Sequence, residues 1–262
     1  MAEVLERGFL RASGRDAVSY LQSMLSNDVE ALAPGAGCYA LLLTPKARVI
    51  ADLEVFRTGD DLVLACPLEA VDDVLATLLR ARFRKQVALE PAGYALVWGE
   101  VDGVLAELAT PIGPERLLDR VPAGGNGSGS DFEVARIEAG MPRFGREFDS
   151  ESMPAEAGLE DRAISFTKGC YPGQEPVARL HYRGRANRGL RGLRFEGAPP
   201  VPGTRVTVVG ADVGRVTSVA DSARFGPIGL GILRREVDEG ATGDADGAAL
   251  QVVALPFGSS TQ

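Results

Sequence analysis

From Gly197 onward the chain is a series of short aliphatic and β-branched runs cut by glycine: "RVTVVG", "VGRVTSVA", "IGLGILR" and "ALQVVALP". Glycine weakens a helix wherever it falls inside one, and β-branched residues favour the pleated strand. Runs this short, separated by turn residues, are expected to close into a small all-β domain or barrel.

The sequence ahead of that region mixes helical and strand periods. "SGRDAVSYLQSMLS" places Ala17, Leu21, Met24 and Leu25 on one helical face, with Ser13 as the expected cap. "CYALLLT" and "ARVIADLEVF" flank the turn "TPK" and read as a hairpin. In its second arm Arg48, Asp52 and Glu54 alternate with Ala47, Val49, Ala51, Leu53 and Val55, so one face is expected to be the wetter. "DLVLAC" is a further strand. Leu68 to Phe83 reads as a helix with Val71, Leu75, Leu78 and Leu79 inward. "VPAGGNGSGS", Val121 to Ser130, is the clearest break and reads as a flexible connection. After it, Phe132–Val134 alternates like a strand, and Arg136 to Gly140 reads as a short helix ending in glycine. Gln174 to Tyr182 reads as a helix with Pro176 in its first turn. The expected division is a core over 1–195, in two subdomains with the break near 121–130, and a barrel over 196–262.

The 262 residues suffice for a sizeable core, and 45% hydrophobic with 24% charged residues is ordinary for a globular chain. No apolar run reaches the ~18 residues of a membrane span. The first residues carry acids and no long apolar stretch, so the expected location is the cytoplasm. Cys38, Cys66 and Cys170 are too few and too scattered for a disulfide framework.

The single histidine, His181, removes most familiar catalytic schemes. No His-based zinc site and no H-E-x-x-H can form. There is no G-x-S-x-G and no P-loop, and "GGNGSG" does not fit the dinucleotide fingerprint. Three isolated cysteines cannot supply the usual four thiolates of an iron–sulfur cluster, so no self-held metal or cluster is expected. The net charge of −8 argues against broad nucleic-acid binding.

Against that background stands "FTKGCYPGQEPVAR", Phe166 to Arg179. Cys170 is either a small buried hydrophobe or a reactive thiol. Its flanks favour the second reading: Lys168 and the downstream arginines would support a thiolate, and Gly169 and Gly173 allow tight turns and close approach. Cys38 and Cys66 lie in apolar runs and read as core. From Pro176 to Phe195 there is no acid, while Arg179, Arg183, Arg185, Arg188, Arg191 and Arg194 gather there. The stretch is either a solvated face or a cradle for an anionic ligand, and its place beside the cysteine favours the cradle.

"KGCYPGQE" resembles the signature K-G-C-[YF]-x-G-Q-E of the YgfZ family, folate-binding proteins tied to iron–sulfur cluster maintenance. "GRDAVSYLQSMLSNDVEAL", the segment from "RIEAGMPRFG" through "RANRGL", and "GRVTSV" with "GLGILRREV" extend the resemblance over nearly the whole chain. The parent superfamily is that of the glycine cleavage T-protein, a folate-dependent aminomethyltransferase. The resemblance implies an α+β core around a central folate-sized cavity, followed by a small β-barrel. It implies tetrahydrofolate or a derivative as ligand, and iron–sulfur client proteins or the cluster-assembly machinery as partners. By resemblance Lys168, Gly169, Cys170, Tyr171, Gly173, Gln174 and Glu175 are signature positions; Cys170 is the candidate reactive thiol, and Lys168 is the catalytic candidate beside it. Glu138, in "RIEAG", matches the acid that T-protein relatives set on the pterin ring, and one carboxylate can accept two hydrogen bonds from that edge. A salt bridge to Arg136 or Arg143 is its structural alternative. Arg179 and Arg183 would meet the folate carboxylates.

The chain departs from the family at "PKARV", where Ala47 stands in place of a hairpin glycine, so the hairpin is expected to close differently. Asp72 and Asp73 lie where an aminomethyltransferase needs an acid, but read as helix-surface residues. No residue set completes a nameable reaction. The expected function is a tetrahydrofolate-binding accessory factor for iron–sulfur proteins. The alternatives are a folate-dependent aminomethyl- or methyltransferase, and an RNA-binding module, the last poorly served by an arginine stretch with only Tyr182 and Phe195 to stack.

Overall fold

The computed structural model describes residues 2–122 and 129–259. The expected flexible connection lies mostly in 123–128, outside the described residues. The chain divides into two compact units, Met1–Gly129 with Glu160–Arg179, and Ser130–Leu159 with Leu180–Gln262.

The first unit carries two antiparallel sheets. Strands β1 (Glu3–Leu5), β2 (Gly8–Ser13), β3 (Gly37–Leu43), β4 (Val49–Thr58), β5 (Asp61–Cys66), β6 (Ala88–Pro91), β7 (Ala95–Trp98), β8 (Ala106–Leu108) and β9 (Glu115–Leu118) form them. The orders are β3-β4-β5-β2-β6 and β1-β7-β9-β8. Helices α1 (Ala17–Met24) and α2 (Val71–Ala81) pack on the larger sheet. Tyr20 and Leu21 of α1, Leu42, Leu53 and Leu64 of the sheet, and Val74 and Leu78 of α2 share that core. Tyr20 sends its hydroxyl to the carbonyl of Leu78, which satisfies its one polar atom inside an apolar cluster.

Several local expectations are corrected here. Ser13 belongs to β2 and does not cap α1; Asp16 stands at the cap position, and its carboxylate takes the amide of Gln86 at 2.7 Å. On α2 the buried residues are Val74 and Leu78, while Leu79 is exposed, because the helix starts at Val71 after a 3-10 turn and its inward face is rotated. The polar face of β4 is not wet. Asp52 and Glu54 are buried, and Arg7 pairs with both, at 3.2 and 2.5 Å. The β3–β4 hairpin keeps the left-handed residue that a glycine would favour: Ala47 has φ +59° and is fully buried. Cys66 is buried, as expected of a core residue, and Cys38 is partly so.

The second unit is built on a closed barrel of order β10-β13-β12-β11-β14-β15. Its strands are β10 (Arg188–Phe195), β11 (Arg205–Val208), β12 (Ala211–Ser222), β13 (Gly226–Arg234), β14 (Thr242–Ala245) and β15 (Ala248–Val253). The barrel thus begins eight residues ahead of the 196 expected, since the arginine-rich stretch itself forms its first strand. Leu193, Val206, Val216, Leu233, Leu250 and Val252 fill the interior.

Residues 132–134 are helical, not extended: they belong to α3 (Ser130–Glu138). Ile137 packs with Ile228, Leu230 and Phe257, so tertiary burial overrides the short alternation. Arg136 is 2% exposed. It pairs with Glu133 at 2.5 Å and Glu147 at 3.2 Å, and donates to Ser218 at 2.7 Å. Ser218 follows the bulge in β12, where the extra residue re-aims the strand and brings this hydroxyl to the arginine. No helix among the described residues is long and apolar enough to cross a membrane.

Candidate functional site

The signature loop is held to the first unit by its lysine. Helix α1 ends at Met24, and its last carbonyls have no partners within the helix. Lys168 supplies one: its ammonium donates to the carbonyls of Gln22 (2.5 Å), Leu25 (2.6 Å) and Asn27 (2.9 Å). A cation at a helix C-terminus is favoured by the helix dipole. The same ammonium stands 5.4 Å from the centre of the Tyr171 ring, within cation–π range. Burial pushes Lys168 down to about 8, partly opposed by Asp28. Ser165 ties the loop from the other side, its amide donating to the Ser26 carbonyl at 3.0 Å. Lys168 therefore anchors the loop through backbone it meets only in the folded chain.

Cys170 follows on this anchored loop and is exposed. Cys38 and Cys66 are each pushed up to about 12 by burial. Tyr171 turns inward; its hydroxyl is buried without a hydrogen-bond partner, and burial raises it to about 12.

The two signature glycines differ. Gly173 has φ +83°, and a Cβ there would meet the Thr44 carbonyl at 2.7 Å and Ala47 Cα at 3.1 Å. Gly169 has no left-handed backbone, and nothing lies within 4 Å of where its Cβ would be. Close approach is thus a property of Gly173 alone. Gly173 also lets helix α5 (Gln174–Arg183) start at once, with Pro176 in the first turn, where its missing N–H does no harm. The division between the units falls within α5, after Arg179.

A pocket of about 410 Å³ opens at this helix start, lined by Pro45, Tyr171, Gly173, Gln174, Glu175 and Arg179. It combines an aromatic ring, an amide, a carboxylate and a guanidinium. Its size falls within the range of small-molecule sites. Of the expected residues, Tyr171, Gln174, Glu175 and Arg179 come together here, beside Cys170 in sequence. Arg183 and Glu138 belong to the second unit. Arg183 is exposed in the last turn of α5.

Glu138 closes α3. Its carboxylate accepts from Ser222 Oγ at 2.5 Å, with Arg224 3.9 Å away. Arg136 and Arg143 are not its partners: the Arg136 guanidinium and the Arg143 backbone amide both donate to Glu147. Asp72 and Asp73 are exposed on α2, the surface position expected of them.

Sequence reasoning passed over one buried acid group. Tyr39 donates to Asp52 Oδ2 at 2.9 Å, and Asp52 Oδ1 is buried without a partner. Burial pushes Glu54 up to about 7 despite the Arg7 charge, and pushes Glu115 up to about 8. The only signal in the sequence was an acid pair two residues apart in an otherwise apolar strand.

Comparison with known proteins agrees with this architecture. The nearly whole-chain structural match to the glycine cleavage system aminomethyltransferase T from Bartonella henselae has a TM-score of 0.80 at 19% identity, covering 98% of this chain and 85% of that one. The fold is therefore that of the aminomethyltransferase T-protein. Residues 187–256 match the family described as the CAF17 C-terminal β-barrel domain. An uncharacterized protein of Haemophilus influenzae is 32% identical over 195 residues, 69% of this chain and 68% of that protein. The mitochondrial iron-sulfur cluster assembly factor IBA57 homolog of Mycosarcoma maydis is 28% identical, over 76% of this chain and 59% of its own length. The tRNA-modifying protein YgfZ of Yersinia pestis is 27% identical, over 68% and 66%. The chain spans less than two thirds of these last two relatives. The chain belongs to the YgfZ family.

Proposed function

We propose that this chain is a tetrahydrofolate-binding accessory factor that supports assembly or repair of iron–sulfur clusters in client enzymes, with Cys170 as its working thiol. One observation carries the reading: an exposed thiol and a ligand-sized pocket share one anchored loop. The name of the fungal relative supports the iron–sulfur role.

The pocket residues suit a folate. The unpartnered Tyr171 hydroxyl is a buried donor awaiting an acceptor. Gln174 and Glu175 can exchange hydrogen bonds with a pterin edge, and Arg179 can take a carboxylate in a planar fork. When bound, tetrahydrofolate would supply a nitrogen able to carry one-carbon groups. Glu138 stays in this reading as a pterin contact by family resemblance.

The test is calorimetric titration with tetrahydrofolate of wild type, Glu138→Ala and Tyr171→Phe. Saturable binding, weakened in both variants, is expected; no binding overturns the folate part. Cys170→Ser is expected to abolish support of cluster enzymes in cells, and full support by that variant overturns the thiol part.

The fold favours one second reading, a folate-dependent aminomethyl- or methyltransferase. Release of a folate product from an aminomethylated carrier protein would select it.

A further inference from the structure

At one end of the barrel the structure gathers like charges. Asn187 precedes β10 and Arg188 opens it; Arg234 closes β13, and Arg235 and Glu236 follow. Arg188 and Arg234 stand directly opposite each other in the β10–β13 ladder. The amide of Arg235 donates to the Asn187 carbonyl at 2.9 Å, which extends the ladder one step and fixes both chain ends. These residues line a pocket of about 300 Å³. Like charges directly opposite destabilise a strand pair. Glu236 lines the same pocket and pairs with Arg234 at 3.9 Å, beyond hydrogen-bond range, so it offsets only one of the three charges. Among the described residues no carboxylate forms an ion pair with Arg188 or Arg235.

We infer that this pocket binds a phosphomonoester. Three guanidinium groups against one carboxylate leave two net positive charges, and a phosphomonoester carries about −1.5 to −2 at neutral pH. Guanidinium forks match phosphate oxygens in pairs, so arginines from two strands can share a tetrahedral group that a single planar carboxylate could not occupy as fully. The Asn187 amide adds a donor. Glu236 repels the phosphate itself but can accept from a hydroxyl beside it, which favours a phosphate on a sugar. The volume suits a ligand of ribose-phosphate size, at the lower end of small-molecule sites. Such a group comes from a free sugar phosphate or nucleotide, or from the 5′-phosphate end of an RNA. The residues of this site all belong to the second unit and none lines the pocket at the start of α5, so the inference stands or falls independently of the function proposed above.

The experiment titrates full-length protein with ribose 5-phosphate, and with a short RNA bearing either a 5′-phosphate or a 5′-hydroxyl, at constant ionic strength. Arg188→Gln and Arg234→Gln are compared with Arg205→Gln, an exposed barrel arginine outside the pocket, and all variants are checked for unchanged melting. Expected are saturable binding of the phosphomonoester and a loss of about tenfold or more in each pocket variant but not in Arg205→Gln. Binding of both phosphorylated probes assigns a free sugar phosphate; binding of the 5′-phosphorylated RNA alone assigns an RNA end. No saturable binding, equal binding of the 5′-hydroxyl RNA, or binding unchanged in both pocket variants overturns the inference.

Discussion

A Cβ on Gly173 would stand 2.7 Å from the carbonyl oxygen of Thr44. The signature loop and the tip of the β3–β4 hairpin therefore touch backbone to backbone, and the pocket wall formed by Pro45 and Gly173 depends on that contact.

Gly173→Ala is expected to be costly on two counts. The left-handed backbone costs a side-chain-bearing residue about 1–2 kcal/mol, and the contact with Thr44 forces a further shift. Equilibrium unfolding is expected to show a loss of about 2 kcal/mol or more. Gly169→Ala, with open space and ordinary backbone, is expected to change stability by less than ~0.5 kcal/mol.

Thiol labelling of the native protein is expected to modify one cysteine quickly. Cys170 is exposed, while burial holds Cys38 and Cys66 protonated near neutral pH. Cys170→Ser is expected to remove the fast phase and leave the melting temperature unchanged. Mass spectrometry after brief labelling checks the site.

Lys168→Met removes the donor shared by three carbonyls and is expected to destabilise the first unit by about 1–3 kcal/mol near neutral pH. Its pH signature has a definite sign. A lysine whose folded value falls to about 8 from 10.5 binds fewer protons folded than unfolded between those values. Wild-type stability should rise with pH across that window through this group, and the rise should be absent in Lys168→Met. Denaturant titrations at pH 8 and pH 10 test it.

Glu54 and Glu115 act in the opposite sense. Their folded values, about 7 and about 8, lie above the ordinary 4.5, so the folded state binds more protons in between. Their contribution is fully present below about pH 4.5 and fades as pH rises through 7 to 8. Glu115→Gln is expected to flatten the pH dependence of stability between those limits and to stabilise the protein at pH 8. A series of thermal melts from pH 5 to pH 8.5 measures the slope.

Arg136→Met leaves Glu147 buried without its cation and strips Ser218 of a partner. A loss of about 3–5 kcal/mol is expected, as when one member of a buried pair is removed. Replacing Arg136 and Glu147 together by apolar residues should recover much of it, and a double-mutant cycle in urea separates the two effects.

Much of the architecture was legible because it rests on local patterns. Short β runs between glycines announced the barrel, and Pro-Gly-Gln ahead of "EPVAR" announced the start of α5, since turn chemistry and helix first-turn preferences act over a few residues. The octapeptide around Cys170 pointed to the loop that the structure anchors beside a pocket. What the sequence by itself could not determine is set by residues far apart. Lys168 finds its carbonyls 146, 143 and 141 positions away. Arg7 turns Asp52 and Glu54 from an apparently wet face into a buried ion group 45 and 47 positions on. Phe132–Val134 became helix because Ile137 and Arg136 are buried against β12 and β13, a packing gain that outweighs a three-residue alternation. Ala47 keeps its left-handed turn because the surrounding hairpin and the Gly173 loop enforce it. Propensity and turn chemistry are decided within a few residues, whereas burial and charge pairing depend on which distant groups the fold brings within a few ångströms, and only the tertiary structure decides that.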